Sequence, residues 1–217
     1  MANAVDQTPA PATRGRVLHW ARLYDAVVWV FMLGRERALR GRTLDLARLR
    51  PGESVLDVGC GTGTLALAAK ARVGPSGTVC GIDAAPEMVT RATRKAERAG
   101  LDVAFRHAVI ETLPYPDGQF DVVLNTLMMH HLPRDVRSAA AREIRRVLKP
   151  GGRVLVMDFG AGGQHGRGLL AHVHRHGGVG LAEIGDLLRD AGLHPVESGP
   201  VGTRDLHFTL AQEPGGA

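Results

Sequence analysis

Along this chain, short runs of β-branched and aliphatic residues alternate with stretches whose apolar positions recur every three to four residues. After the break at Pro51-Gly52, "SVLDV" (Ser54–Val58) predicts a strand and Gly63–Val73 a helix. "TVCGID" predicts a second strand, followed by a helix over Pro86–Ala99 with proline in its first turn. "DVAFR" reads as a short third strand, and "FDVVLN" (Phe120–Asn125) as a fourth, apolar enough for the middle of a sheet. A long helix over Pro133–Leu148 is stopped by Pro150-Gly151-Gly152, and "RVLVMDF" is the fifth strand. Such alternation implies βαβ units and a parallel sheet covered on both faces.

The two ends depart from this rhythm. Residues 1–15, rich in Pro, Ala and Thr, are expected to form a disordered arm. Val17–Leu49 is patterned as a helix and carries Trp20, Tyr24, Trp29 and Phe31, either as packing against the sheet or as the enclosure of an apolar substrate. Gly160–Gly180 is rich in Gly and His and is expected to be a flexible cap, with a short helix at Leu169–His176. Leu181–Ala191 is helical and ends at Gly192. "HPVESGPV" and "DLHFTLAQ" close the chain as two strands, antiparallel because their connection is short. The expectation is one α/β domain over 16–217: a seven-stranded sheet, parallel except near its end, with a helical lid over 16–50.

Composition changes this picture little. A chain of 217 residues, 44% hydrophobic and 23% charged, suits a soluble protein with one core. The net charge of +5 favours an anionic partner only weakly. Arg35, Arg37, Arg40, Arg42, Arg48 and Arg50 form one basic stretch, read as a solvated helix face or as an attraction to an acidic substrate or anionic surface. Cys60 and Cys80 are too few for a disulfide framework, so a reduced, cytoplasmic setting is expected. No basic start followed by an apolar core suggests a signal peptide. The longest apolar run, Ala26–Leu33, falls far short of the roughly 20 residues that span a bilayer.

The chemistry concentrates in "VLDVGCGTG". A dinucleotide turn needs glycine at its first, third and sixth positions. Here Gly59, Gly61 and Gly63 take the first, third and fifth, and Thr64 the sixth. A cationic ligand would ask for a tight turn with a carboxylate near its charge, and Asp57 stands two residues ahead. At the end of the second strand, Asp83 can take both hydroxyls of a ribose. Its plainer reading is a capping role before Pro86. Ala84, Ala85 and Met88 offer an apolar wall to a purine.

Together, "VLDVGCGTG", "GIDAAPEM", "ETLPYPDGQFDVV" and "EIRRVLKPGGRVLVMDF" resemble the class I S-adenosylmethionine-dependent methyltransferases, in particular the ubiquinone and menaquinone C-methyltransferase subgroup. The resemblance implies a Rossmann-like fold and S-adenosyl-L-methionine as cofactor, leaving as S-adenosyl-L-homocysteine. It implies that the Gly59–Gly63 turn, with Cys60 and Gly61 in it, packs along the homocysteine part, and that Asp57 orients that turn and the amino group. Asp83 would hold the ribose, Met88 the adenine face, and Ile110 and Glu111 the adenine edge. The carbonyl of Asn125 would meet the ammonium, and Tyr24 would fold over the cofactor. One departure stands out: Val109 sits where many relatives carry an aspartate that accepts from the adenine amino group.

Methyl transfer asks for alignment and the exclusion of water, and for a base only where the nucleophile holds its proton tightly. His130 and His131, in "NTLMMHHLP" at the rim beyond the fourth strand, are the candidate base, or else residues packed beside the cofactor. Met128 and Met129 read as wall. His172 and His176 have the spacing of a helical metal pair, but no carboxylate completes a zinc motif, so no metal is expected. The acceptor is expected to be a small apolar or aromatic molecule, not nucleic acid. The protein would be a monomer or homodimer without membrane insertion. Methylation of a lipid or quinone at a membrane surface, or cofactor binding without turnover, are the alternatives.

Overall fold

The computed structural model describes residue 15 and residues 36–160, 180–202 and 206–215. The aromatic segment with Tyr24 and the Gly/His-rich cap over 161–179 lie outside the described residues.

Helix α1 (Glu36–Leu46) leads into β1 (Ser54–Val58), α2 (Thr64–Val73), β2 (Thr78–Asp83), α3 (Pro86–Ala99) and β3 (Ala104–His107). Then come β4 (Phe120–Thr126), a 3-10 turn at Met129–His131, α4 (Arg134–Val147) and β5 (Leu148–Phe159). Helix α5 (Leu181–Asp190), β6 (His194–Pro200) and β7 (Leu206–Gln212) complete the order. The seven strands form one sheet in the order β3-β2-β1-β4-β5-β7-β6. Pairing is parallel from β3 through β5, and β7 runs antiparallel to both neighbours. The expected sheet, its parallel part and its antiparallel close are all present.

The strands in the middle read as continuous apolar runs because both faces are covered. Leu56, Val58, Val123 and Val156 pack on one side against Ile144 of α4 and Ile184 and Leu188 of α5. Val55, Leu124 and Leu155 pack on the other against Leu44 of α1 and Ala66 and Ala69 of α2. The small alanines let α2 lie close to the sheet, which draws the turn before it over the strand ends. Helix α3 starts at Pro86 and ends at Gly100, with Met88, Val89, Ala92 and Ala96 buried along one stripe.

One boundary differs from the sequence reading. β5 begins at Leu148, paired with Phe120, and the ladder resumes only at Arg153 opposite Val122. The Pro150-Gly151-Gly152 stop is therefore an irregularity inside a long strand, not its start. A bulge of this kind bends a strand without ending its pairing.

Candidate active site

At the C-terminal edge of the sheet, β1 breaks into a turn in which Gly59, Gly61 and Gly63 have φ of 73°, 52° and 79°. Side-chain-bearing residues rarely adopt these angles, so glycine is required by the backbone alone. Close approach requires it too: a Cβ on Gly63 would stand 2.7 Å from both Ala92 Cβ and Phe105 Cζ. The N–H groups of Gly59 and Cys60 both donate to the carbonyl of Ile82, each at 2.9 Å. Asp83 completes the tie. Its Oδ2 accepts the Gly61 N–H at 2.8 Å and its Oδ1 accepts the Ala85 N–H at 2.9 Å. The capping role leaves a ligand role open: both oxygens are held in place, and each keeps a lone pair for a further donor. Burial raises the Asp83 pKa against these two backbone bonds.

Beneath the turn, Asp57 is 1% exposed, and neither carboxylate oxygen completes a hydrogen bond among the described residues. Burial pushes its pKa up to about 7, with the Asp83 charge adding to the rise. Arg40 and the N–H of Ala66, which points at the carboxylate from outside bonding geometry, offset this only in part. On β4, Asn125 pairs with Val58, not with Asp57, and is fully buried; its Nδ2 donates to Val58 O at 3.4 Å and its Oδ1 has no partner among the described residues. A buried carboxylate with no partner among the described residues, under a glycine turn, suits a cation.

Gly59, Gly61, Asp83, Ala84, Met88, Ile110, Glu111 and His131 line one cleft. Gly15 lines it as well, so a residue from the expected disordered arm stands at the site. Asp57, Cys60, Gly63 and Asn125 lie behind its surface. Val109 and Ile110 are about as buried as Met88 and form an apolar wall, and no carboxylate stands at position 109. Burial drives the Cys60 thiol well above its usual range, which disfavours the thiolate. Tyr24 lies outside the described residues.

The two histidines are not equivalent. His131 lines the cleft, while His130 packs against it, ring centroids 3.9 Å apart and planes tilted by 42°. His130 Nδ1 is 2.6 Å from Oδ1 of Asp158, and the backbone N–H of His130 donates to Oδ2 at 3.0 Å. Asp158 is buried at the end of β5 and carried no signal in the sequence beyond closing an apolar strand. Leu127 was also missed: it lines the cleft with φ of 56°, unusual for a bulky residue. Among the described residues no cluster of His, Cys, Asp and Glu could hold a metal. No described helix is long and apolar enough to cross a membrane.

Residues 55–152, which hold the glycine turn and the acid ending β2, match the family model described as a methyltransferase domain, in keeping with the class I S-adenosylmethionine-dependent methyltransferases that the sequence resembles. Among curated proteins, the chain is 40% identical over 136 residues to a demethylmenaquinone methyltransferase from Thermus thermophilus, covering 63% of this chain and 60% of that protein. It is 36% identical over 172 residues to a 27-O-demethylrifamycin SV methyltransferase from Amycolatopsis mediterranei, covering 72% and 60%. The chain thus spans under two thirds of the length of these relatives. A crystal structure of a SAM-dependent methyltransferase from Aquifex aeolicus superposes with a TM-score of 0.69 at 26% identity, covering 80% of this chain and 88% of that one.

The residues fit the cofactor of this class. The orphaned Asp57 carboxylate suits an ammonium, the glycine turn leaves room that a Cβ on Gly59 would take from Met128, and Asp83 presents two fixed acceptors.

Proposed function

We propose that this chain methylates a small apolar or aromatic molecule with S-adenosylmethionine, as one domain over 16–217 with a lid over 16–50 and a cap over 160–180. Bound, the cofactor supplies an electrophilic methyl on a sulfonium. Asp57 and the Asn125 end of β4 bind its ammonium, the Gly59–Gly63 turn lies along its amino-acid chain, and Asp83 takes the ribose hydroxyls. Met88, Val109 and Ile110 pack the adenine.

The observation that carries the reading is the meeting, in one cleft, of the Asp83 carboxylate with His131, against which His130 packs from behind. An ionised Asp158 can only accept, so the proton of the short bond sits on His130 Nδ1. Its Nε2 then keeps a lone pair, and either His130 or His131, the one that lines the cleft, would take a proton from an acceptor hydroxyl, amine or activated carbon. This is the arrangement of a base oriented by a third group. His131 and Met128 form the wall against which the acceptor is aligned. Alignment and water exclusion supply most of the rate, on the order of 7–11 kcal/mol.

The first relative's name favours a quinone as acceptor. The exposed arginines Arg37, Arg42 and Arg50 of α1 and the residues after it would let a soluble, cytoplasmic protein, monomeric or homodimeric, visit an anionic membrane to reach one.

The test is transfer of a tritiated methyl group from S-adenosylmethionine into a bacterial extract, with Asp83→Ala as the control. Label in the organic fraction, lost in the variant, supports an apolar acceptor. Label only in precipitated macromolecules overturns the small-molecule reading. Cofactor binding without label in any fraction makes the chain a binding module.

A further inference from the structure

We propose that Arg146 and Glu143, on the last turn of α4, are positioning residues for the adenine end of the cofactor. They act through the loop that continues the cleft wall. The inference rests on the reading of Val109 and Ile110 as that wall.

The wall is a short span fixed at both ends. At its start, the Ala108 N–H donates to the carbonyl of Asp83 at 3.1 Å, which ties it to the ribose-binding strand end. At its far end, the Leu113 N–H donates to Oε2 of Glu143 at 2.7 Å. Arg146 then gathers the next turn of chain. Its guanidinium donates to Leu113 O at 3.0 Å, Tyr115 O at 2.7 Å and Asp117 Oδ1 at 2.8 Å. It is held in turn by both oxygens of Glu143, at 2.8 and 2.7 Å. Every donor direction of a planar guanidinium is thereby aimed at one loop or at the carboxylate that shares it.

This matters because nothing at position 109 grips the base. With valine there, adenine is held by packing, and packing is steep in distance: a gap of a fraction of an ångström forfeits much of the attraction. The width of the slot between Met88 and Ile110 is then set by where Glu143 and Arg146 place Leu113. Glu143 titrates below the usual carboxylate range because Arg146 bonds it, so the pair stays charged at neutral pH.

A mere contribution to stability has to be separated from positioning, and the fold supplies a matched control. On the other face of the sheet Arg153 of β5 makes a comparable clamp, donating to Ala47 O, Arg48 O and both oxygens of Glu53. In the full chain, Arg146→Met should weaken S-adenosylhomocysteine by about tenfold or more in calorimetry, the scale expected when a remote change shifts a binding group. Adenosine, which keeps the base and lacks the amino-acid end, should weaken by the same factor. Amides of Val109–Leu113 should lose hydrogen-exchange protection. Arg153→Met should lower the melting temperature comparably and leave both affinities within twofold. Glu143→Gln, which keeps an acceptor for the Leu113 N–H, should fall between and serves if Arg146→Met fails to fold.

Equal losses of affinity in the Arg146 and Arg153 variants would overturn the proposal, as would normal adenosine binding in Arg146→Met. Ile110→Ala, measured alongside, separates the two levels. If it weakens adenosine and Arg146→Met does not, the clamp falls and the wall stands. If neither weakens it, both fall.

Discussion

Asp158 takes three N–H bonds, and two of them come from His130: the ring Nδ1 at 2.6 Å and the backbone N–H at 3.0 Å, with the third from Phe159 at 2.8 Å. Ring and main chain of one residue are thus fixed by one buried carboxylate. Asp158→Asn keeps the shape but can donate to Nδ1, which would move the ring proton to Nε2 and remove the base. Single-turnover transfer to a protic acceptor should slow about 100-fold. The affinity for S-adenosylhomocysteine should stay within twofold, and a parallel loss of affinity would make Asp158 scaffold only.

Asp57 predicts a trade between stability and binding. Its pKa rises from an ordinary 3.8 to about 7 in the fold. Between those values the folded protein holds a proton that the unfolded chain has lost, so this group makes stability fall as pH rises through the window. The full cost is on the order of 4 kcal/mol above pH 7 and vanishes below about pH 4. Ligand-free Asp57→Asn should therefore melt higher than wild type at pH 8 and equal it near pH 4. In calorimetry, wild-type affinity for S-adenosylmethionine should climb from pH 6 to pH 8, because the ionised carboxylate is the form that meets an ammonium. The variant should bind weakly with little pH dependence.

Two glycines of one turn should fail in different ways. A Cβ on Gly63 meets the Cβ of Ala92, which has no side chain to swing aside, and the tip of the Phe105 ring, at a φ that alanine resists. Gly63→Ala should cost about 2–4 kcal/mol in denaturant unfolding. A Cβ on Gly59 meets Met128 Cγ at 2.8 Å, the flexible part of a side chain that lines the cleft. Gly59→Ala should cost about 1 kcal/mol and displace Met128, so its loss appears chiefly in cofactor affinity.

Val109→Asp places in the wall the aspartate that many members of the resembled family carry there. Position 109 is 4% exposed, so the new carboxylate should lower the melting temperature of the ligand-free protein by several degrees. Bound adenine would supply its partner, and S-adenosylhomocysteine should bind about five- to tenfold tighter, the worth of one good hydrogen bond. Unchanged affinity would mean that the amino group does not face position 109.

Local signals made much of this legible. Proline at the first turn of α3, apolar runs in β1 and β4, and glycine at three closely spaced positions each state a backbone requirement within a few residues. What stayed hidden depends on distance. His130 and Asp158 meet only because β4 and β5 are neighbours, and nothing near either residue announces the other. Position also separated His130 from His131: the 3-10 turn at Met129–His131 sends one ring to the cleft and the other to Asp158. The early start of β5 escaped because Pro-Gly-Gly reads as an end, and only pairing with Phe120 reveals the strand on its near side. Arg146 looked like one basic residue among many until its carbonyl partners were in view.

The strand order has a consequence for how the chain is born. β7 occupies the slot between β5 and β6, and among the described residues β6 pairs with no other strand. During synthesis, β6 leaves the ribosome before the strand that receives it. Until β7 follows, the apolar edge of β5 at Val154 and Val156 stays open to any passing strand. The nascent protein thus has a window of vulnerability that closes only when residues 206–212 arrive. A ribosome stalled before that point should hold a chain that chaperones still recognise.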